Sequence, residues 1–320
     1  MNREDLIQHL GFVSQPEIEI QIIIYAILKE EEFPRKLDIK ETDLPSLADM
    51  FLKSIKKKII ENDTFSILAL STADERTNCY YEYDLDLPVE LQNLESVIGN
   101  DDISIFSFNN HNIQDIDSLI IVISQGDQQI SLFKKLSTVE IIGPSGYLVW
   151  KSNQRLEKFE DSLLRISPNF QAILVNNTVV ILDLKFIERS FGFIDVIKRE
   201  ALLGLNAIRD INIISNLNTL EELVDDITFA RKLTKIARNS PVIQKSIPNT
   251  VIITFTETHP ALKGKIRYND TKTQINLHTK TAKNLFVKLL NDDFLTSELT
   301  SSYYDSLAKD NIDLIEEEIN

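Results

Sequence analysis

Hydrophobic and polar positions in the first half of the chain repeat with the periods of strands and of one helix. Residues 17–28 place isoleucine at every second position against glutamate and glutamine, a pattern typical of a half-buried strand. Residues 45–61 carry Leu, Phe and Ile at four-residue intervals, which predicts an amphipathic helix. Further short apolar runs predict strands at 65–70, 103–108, 118–123, 129–133 and 138–142. Because no long helical pattern separates these runs, we predict antiparallel pairing.

The second half of the chain mixes strand and helix patterns. Strands are predicted at 155–166, 170–175, 178–184 and 251–256, and helices at 186–209, 219–239 and 280–291. Asn176-Asn177 predicts a tight turn, and Thr219 with Glu222 predicts a capping box. We therefore expect an α+β fold of two mixed units, each with an antiparallel-rich sheet and flanking helices. The predicted boundary gives an N-terminal domain at 1–150 and a C-terminal domain at 151–320.

The sequence Gly-Pro-Ser-Gly at 143–146 joins two strand-like runs. A G-x-x-G loop can clamp a nucleic-acid backbone in one RNA-binding fold, where it joins two helices. Here the flanking runs are strand-like and the loop carries no lysine or arginine, while proline at the second position is ordinary turn chemistry. The sequence therefore predicts a hairpin turn at this position.

Composition excludes several classes of protein. The 8 glycines among 320 residues form neither a G-x-G pair nor a phosphate-binding loop, which excludes a glycine-fingerprint nucleotide binder. A single cysteine, Cys79, leaves no intrachain disulfide to form and fits a reducing compartment. No apolar run approaches the ~20 residues of a membrane helix, and the first ten residues have no secretory pattern. We expect a cytoplasmic protein.

Charge is distributed unevenly along the chain. The net charge is −15, from 34 basic and 49 acidic residues, so long-range attraction to nucleic acid or anionic lipid is not expected. Residues 231–288, however, contain twelve basic residues against Glu257 and Asp270, a local charge of +10. Such asymmetry is typical of a localised electrostatic footprint inside an acidic protein.

The spacing of these basic residues predicts two strips and a helix start. On a helix, Arg231, Lys235 and Arg238 share one face; on a strand, Lys263, Lys265 and Arg267 point the same way. Lys280 and Lys283 fall in the first turn of the last helix, where the helix dipole disfavours cations. We predict nucleic-acid contacts from nine residues: Arg231, Lys232, Lys235, Arg238, Lys263, Lys265, Arg267, Lys280 and Lys283.

A protein-only interpretation of the same charges stays open. Basic residues near the end of helix 219–239 complement its C-terminal dipole. Residues 291–320 carry nine acids against Lys309 alone and are able to dock on the basic region or to pair with another subunit.

Catalytic patterns are sparse, and no cofactor or metal is expected. The four histidines lack metal-ligand spacing, and neither a G-x-S-x-G nor a C-x-x-C motif occurs. One pattern is compatible with a Mg²⁺-dependent nuclease: a strand that ends in Asp183-x-Lys185, with Glu160 and Asp161 on another predicted strand. The alternative is that Asp183 caps the following helix while Lys185 faces solvent. We expect a binding protein rather than an enzyme.

Several segments of the second half resemble one known family. They comprise the strand ending in Arg165-Ile166, Asn169-Phe170-Gln171 before the next strand, Lys185–Glu188, Phe191-Gly192-Phe193, Phe229–Leu233, Ser240-Pro241-Val242 and the block 289–310. Together these motifs resemble the Kiwa anti-phage KwaB-like family over residues 150–312. In the first half only the order of elements, such as residues 70–86, agrees with that family.

The resemblance implies a cytosolic, DNA-binding effector of a two-component phage-defence system. It further implies a membrane protein as sensor partner, recruitment to the inner face of the membrane, and homo-oligomer formation. DNA binding is attributed to the C-terminal domain of such proteins, where the +10 segment of this chain also falls. Because the net charge is −15, we expect non-specific binding to phosphates that depends strongly on salt. A Mg²⁺-dependent nuclease and an interaction subunit without DNA affinity are the alternatives.

Overall fold

The computed structural model describes residues 1–14, 20–72, 78–142, 149–152, 155–158, 161–297, 299 and 303–305. The chain divides into two compact units, Met1–Phe193 and Ile194–Asn320. The first unit extends beyond residue 150, because two strands between residues 172 and 181 belong to its sheet. Within the described residues, no helix combines the length and apolarity that crossing a membrane requires.

The first unit consists of one large sheet with helices and small ribbons around it. Its helices are α1 (Arg3–His9), α2 (Leu44–Ile55, continued by a π-helical turn at Lys56–Ile60), α3 (Val89–Ser96) and α4 (Leu184–Glu188). Its strands are β1 (Gln21–Leu28), β2 (Arg35–Lys36), β3 (Ser66–Ala69), β4 (Cys79–Glu82), β5 (Ile116–Gln125), β6 (Gln128–Lys135), β7 (Ile141–Ile142), β8 (Val149–Ser152), β9 (Arg155–Lys158), β10 (Leu163–Leu164), β11 (Ala172–Val175) and β12 (Thr178–Ile181).

Eight of these strands form a single sheet in the order β2-β1-β5-β6-β11-β12-β4-β3. All neighbouring pairs are antiparallel except β3 and β4. Alternate side chains of β1 and β5 and the apolar face of α2, including Phe51 and Ile55, are buried in one core. The α+β class and the mostly antiparallel sheet predicted from the hydrophobic periods are confirmed.

Asn176 and Asn177 join β11 to β12, as predicted. Both have positive φ, 47° and 60°, which is the backbone of a type I′ hairpin turn. Asparagine tolerates this left-handed region better than most residues because its short polar side chain bonds locally.

One strand predicted in the first unit is wrong. Residues 103–108 do not form a strand; they make one parallel bridge, between Ile105 and Lys36. The hairpin turn predicted at 143–146 lies outside the described residues. Of the strands on either side of it, β7 pairs with β10 and β8 pairs with β9.

A buried ion pair between Lys134 of β6 and Glu140 stabilises the first unit. The Lys134 ammonium, 1% exposed, lies 2.6 Å from Glu140 Oε1 and donates to Ser167 Oγ at 2.8 Å. Glu140 also accepts hydrogen bonds from the main chain and hydroxyl of Ser137. Burial alone would raise the pKa of Glu140, but the bonds from these three residues outweigh it and hold the pKa at about 2.

The second unit is mainly helical. Its helices are α5 (Phe193–Asp210, beginning at the last residue of the first unit), α6 (Asn218–Glu221), α7 (Ile227–Asn239), α8 (Pro241–Gln244), α9 (Asn249–Thr258) and α10 (Lys280–Leu290). Its described residues also form two antiparallel ribbons, β13 (Arg267–Tyr268) with β14 (Ile275–Asn276), and β15 (Phe294–Thr296) with β16 (Tyr303–Asp305).

The two long helices predicted here are each interrupted. The helix predicted at 186–209 breaks between α4 and α5, where Phe191 and Gly192 have positive φ. The helix predicted at 219–239 breaks between α6 and α7, and Asp226 caps the second piece by accepting from the N–H groups of residues 228 and 229. The capping box predicted at Thr219 is wrong, because its hydroxyl donates to the carbonyl of Asn216.

The strand predicted at 251–256 is instead part of helix α9. Ile252, Ile253 and Thr256 are buried at helical spacing. Thr254 and Thr256 donate their hydroxyl protons to carbonyls of the preceding turn, which keeps these β-branched side chains compatible with a helix. Tertiary burial thus overrides the strand propensity of this run.

Candidate nucleic-acid interface

Helix α7 presents its basic side chains beside a fully packed apolar face. Phe229, Leu233 and Ile236 are buried on that face. Arg231, Lys232 and Lys235 are half-buried and Arg238 is exposed, so these four residues border the packed surface. They follow the helical face that their spacing predicts.

Helix α10 packs beside α7 and adds a second row of polar side chains. Lys280, Asn284 and Lys288 are four residues apart and therefore lie along one face, with ~6 Å between neighbours. The Lys232 ammonium of α7 donates to Asn284 Oδ1 at 2.8 Å. This contact joins the basic faces of the two helices, and we call Lys232, Lys280, Asn284 and Lys288 the α7–α10 cluster.

Electrostatics inside the α7–α10 cluster are unfavourable for Lys232. Burial lowers the pKa of the Lys232 ammonium, and the nearby ammonium of Lys288, with a smaller effect from Lys280, lowers it further. Asp226 and Asp293 act in the opposite direction. A cation that is desolvated and surrounded by other cations gains from an added anion.

Two carboxylates compensate part of this positive charge. Asp293 is only 2% exposed, and Asp226 Oδ2 lies 3.8 Å from the Lys280 ammonium. Asp226 also caps α7, so its carboxylate is fixed at the start of that helix. Among the described residues named here, three lysines thus face two carboxylates, which leaves this group of side chains net positive.

Arg238 is placed differently from the rest of the predicted strip. Its Nε and Nη2 donate to the two carboxylate oxygens of Glu200 on α5, at 2.9 and 3.1 Å. Glu200 is 2% exposed, so Arg238 neutralises a buried carboxylate. Arg238 was predicted to contact nucleic acid, but much of its positive charge is neutralised by this ion pair.

Arg231 and Lys235 share one face of α7, and both already interact with other residues of the chain. Their side chains are half-buried at the border of the packed surface. They are close enough in sequence to Lys232 to add to the positive potential of the α7–α10 cluster.

The second predicted strip is exposed but is not a single strand. Lys263 and Lys265 lie in a turn after α9, and only Arg267 belongs to a strand, β13. All three side chains are exposed, and Ile266 between the last two is buried. Strand β14, which pairs with β13, precedes α10 by three residues.

Lys280 and Lys283 begin α10, as predicted, where Thr279 caps the helix by accepting from the N–H of Ala282 at 3.0 Å. Lys288 and Asn284 were not predicted as site residues. The four-residue repeat of Lys280, Asn284 and Lys288 is the sequence signal that identifies them.

The described residues of the nuclease alternative form no group of metal ligands. Asp183 accepts from the N–H of Phe186 at 3.1 Å and caps α4, which is the capping alternative set out from the sequence. Asp161 and Lys185 are exposed, and Glu160 lies outside the described residues. Among the described residues, no group of three or more His, Cys, Asp or Glu side chains is placed to hold a metal ion.

Comparison with known proteins identifies the family. The sequence model of the Kiwa protein KwaB-like family matches residues 113–300, well over half of the chain. The chain belongs to the Kiwa KwaB-like family. It is 31% identical over 280 residues to "Kiwa protein KwaB" of Escherichia coli O55:H7 (strain RM12579 / EPEC), covering 86% of this chain and 89% of that protein. No solved structure matches.

Membership in the KwaB-like family implies a role in anti-phage defence. The matched range includes all of α5, α7 and α10, and so the whole α7–α10 cluster belongs to the part of the chain that the family shares.

Proposed function

We propose that this KwaB-like chain is a DNA-binding effector of anti-phage defence, and that it holds duplex DNA through phosphate contacts at the α7–α10 cluster. The observation that carries the proposal is the bond between Lys232 and Asn284, which brings the basic faces of two helices together. The +10 charge of residues 231–288 in a chain of net charge −15 supports it independently.

The chemistry of the cluster favours backbone contacts over base recognition. Lysine ammonium groups act as point charges toward phosphates, whereas bidentate recognition of bases uses arginine or amide forks. A phosphate beside Lys232 would relieve the mutual repulsion of the lysines and replace part of the solvation that burial removes. Binding is therefore expected to be independent of sequence.

The overall charge of the protein sets the conditions for binding. Since the rest of the chain repels phosphates at long range, affinity depends on a few local contacts and on the counterions that they release. We expect affinity to fall steeply as salt increases.

The partners are proposed from the family. A membrane protein that senses infection, recruitment of this chain to the inner face of the membrane, and a homo-oligomeric state all follow from resemblance to KwaB-like proteins. The acidic first unit and the basic segment at 231–288 are separate in sequence, so a partner and DNA are able to use different parts of the chain.

A fluorescence-anisotropy titration with a labelled ~40 bp duplex tests the proposal at low and physiological salt. The test variant carries Lys280→Gln with Lys288→Gln, and the matched control carries Lys56→Gln with Lys57→Gln, two exposed lysines of the first unit. We expect the test variant to bind more weakly and with a shallower salt dependence, and the control to bind as the parent does. Equal binding by all three proteins would contradict the proposed site.

The same samples, incubated with Mg²⁺ and analysed on a gel, distinguish a binder from a nuclease. An intact duplex is the expected result. Mg²⁺-dependent cleavage that Asp183→Asn abolishes would instead favour the nuclease alternative with Asp161, Asp183 and Lys185.

A further inference from the structure

At the β2 edge of the large sheet in the first unit, one residue among those described, Ile105, presents main-chain groups that the sheet does not use. Strand β2 is the outermost strand at this edge. The Lys36 N–H donates to the carbonyl of Ser104 at 2.9 Å, and the Phe106 N–H donates to the carbonyl of Lys36 at 2.8 Å. Residues 104–106 therefore lie beside β2 in an extended, parallel arrangement.

Ile105, between these two bonded residues, directs its own N–H and carbonyl away from β2. This follows because successive peptide groups of an extended chain point to opposite sides. Within the described part of the chain, no residue pairs with either group of Ile105. Such an edge is a template for another strand.

The same edge exposes large apolar side chains. Phe33, just before β2, is 78% exposed, while Ile105 and Phe108 are each 63% exposed. Phe108 packs edge-on against the buried ring of Phe106, at 5.1 Å between ring centroids, which fixes its position. A groove of about 320 Å³ opens beside Ile105, lined by Ile22, Ile24, Leu37, Ile39 and Leu44 among others.

Acidic residues lie close to this apolar edge and outnumber the basic ones. Glu30, Glu32, Asp101 and Asp102 are exposed close to it in sequence, as is one lysine of the edge strand itself, Lys36. Asp101 also lies near the edge in space. Tyr25 of β1 pairs with Lys36 of β2. Burial raises the pKa of the Tyr25 hydroxyl, and the nearby Asp101 carboxylate raises it further.

We propose that this edge binds an extended, basic and apolar segment of another polypeptide, which adds a strand beside Ser104–Phe106. The outward backbone groups of Ile105 would bond the segment, Phe33 and Phe108 would contact its apolar side chains, and the surrounding carboxylates would select lysine or arginine. A second copy of this chain would bring like charges together, and an anionic lipid surface would be repelled. The proposal does not depend on DNA binding, which uses residues of the second unit.

The experiment measures the binding of a fluorescently labelled alternating peptide, acetyl-Lys-Val-Lys-Val-Lys-Val-Lys-amide, to the full chain by anisotropy. One comparison peptide has glutamate in place of every lysine, and another has proline in place of the central valine, which prevents strand pairing. We expect the lysine peptide alone to bind, with an affinity that falls as salt increases.

The decisive variant is Ile105→Pro. It removes the outward N–H of residue 105 but leaves both bonds to Lys36, which use the carbonyl of Ser104 and the N–H of Phe106. Asp101→Lys with Asp102→Lys is a second variant that leaves the backbone unchanged. The control is Val139→Lys, at an apolar residue of the first unit that is 68% exposed.

We expect about a tenfold or greater loss of peptide affinity for both edge variants and no loss for the control, with unchanged circular dichroism throughout. Absence of binding by the lysine peptide would overturn the proposal, as would binding unaffected by either edge variant. A concentration-dependent dimer in light scattering that Ile105→Pro abolishes would also overturn it, because a second copy would then occupy the edge.

Discussion

Gly204 of α5 faces the main-chain carbonyl of Leu233 on α7 so closely that a β-carbon at residue 204 would lie 2.2 Å from that oxygen. The two helices therefore approach each other at backbone distance, which only glycine permits at this position. Leu233 lies next to Lys232 in sequence, so this contact also fixes the part of α7 that carries the α7–α10 cluster.

Gly204→Ala is expected to destabilise the protein, although alanine is the better helix former. The clash with the Leu233 carbonyl requires α5 and α7 to move apart, at a cost of about 1–3 kcal/mol after the gain in helix propensity. Urea unfolding measures the change. Gly11→Ala is the matched control, since its β-carbon would meet nothing within 4 Å and its stability should be close to that of the parent. Equal stability of both variants would contradict the close approach.

The double reversal Arg231→Glu with Lys235→Glu is expected to weaken DNA binding by several kcal/mol. Both side chains lie on one face of α7 beside Lys232, and their reversal replaces two cations with two anions there. Titrations at several salt concentrations should show a smaller salt slope, by about one unit for each lost phosphate contact. Lys56→Glu with Lys57→Glu is the control. Unchanged affinity of the α7 variant would exclude this face from the interface.

Arg238→Gln is expected to affect stability more than DNA binding. Removing the guanidinium leaves Glu200 as a buried carboxylate without its partner. We expect the free energy of unfolding to fall by about 2 kcal/mol, less than for a fully buried pair, because Arg238 itself is partly exposed. Adding Glu200→Gln should recover part of that loss. Urea unfolding of the two single variants and the double variant gives the coupling energy. A coupling near zero would mean that the pair is not formed in solution.

The buried pair of Lys134 and Glu140 predicts loss of stability in acid. The folded-state pKa of Glu140, about 2, lies below its ordinary value of 4.5. The stabilisation is therefore fully present above about pH 4.5 and is lost as the pH falls toward 2. Unfolding measured between these pH values should show it.

Glu140→Gln is the matching variant. It should be less stable than the parent at neutral pH by about 3 kcal/mol, since Lys134 stays buried without its counter-ion, and its stability should change less between pH 4.5 and 2. Glu30→Gln, at an exposed glutamate, is the control and should follow the parent. An identical acid response of parent and Glu140→Gln would show that another carboxylate is responsible.

Strands with regular alternation were predictable from sequence, because burial of one face leaves a period of two in the residues themselves. Strand β1 is an example. The turn at Asn176-Asn177 was predictable for a different reason, because asparagine tolerates positive φ. Helix α9 was not predictable in this way, since its β-branched residues favour a strand and only tertiary packing makes it a helix. The break before α7 was also missed, although Asp226 is a good cap, because the apolar period continues across it.

The candidate site was partly predictable. Local spacing placed Lys232 and Lys280 among the candidates, but their association depends on the packing of two helices about fifty residues apart in sequence. Arg238 could not be separated from its neighbours by sequence, because its partner Glu200 lies on another helix. Charge patterns in the sequence identify candidate DNA-binding residues, and contacts in the folded protein determine which of their charges are available to bind DNA.

The position of β12 in the large sheet determines when the first unit is able to complete its fold during synthesis. Strand β4 takes its antiparallel partner from β12, about a hundred residues later in the chain. A nascent chain that ends near residue 150 therefore holds β3 and β4 without the strands that connect them to β6. We infer that residues up to and beyond Ile181 must emerge from the ribosome before all eight strands of this sheet can pair. Until then, its inner strands are accessible to chaperones and are able to mispair.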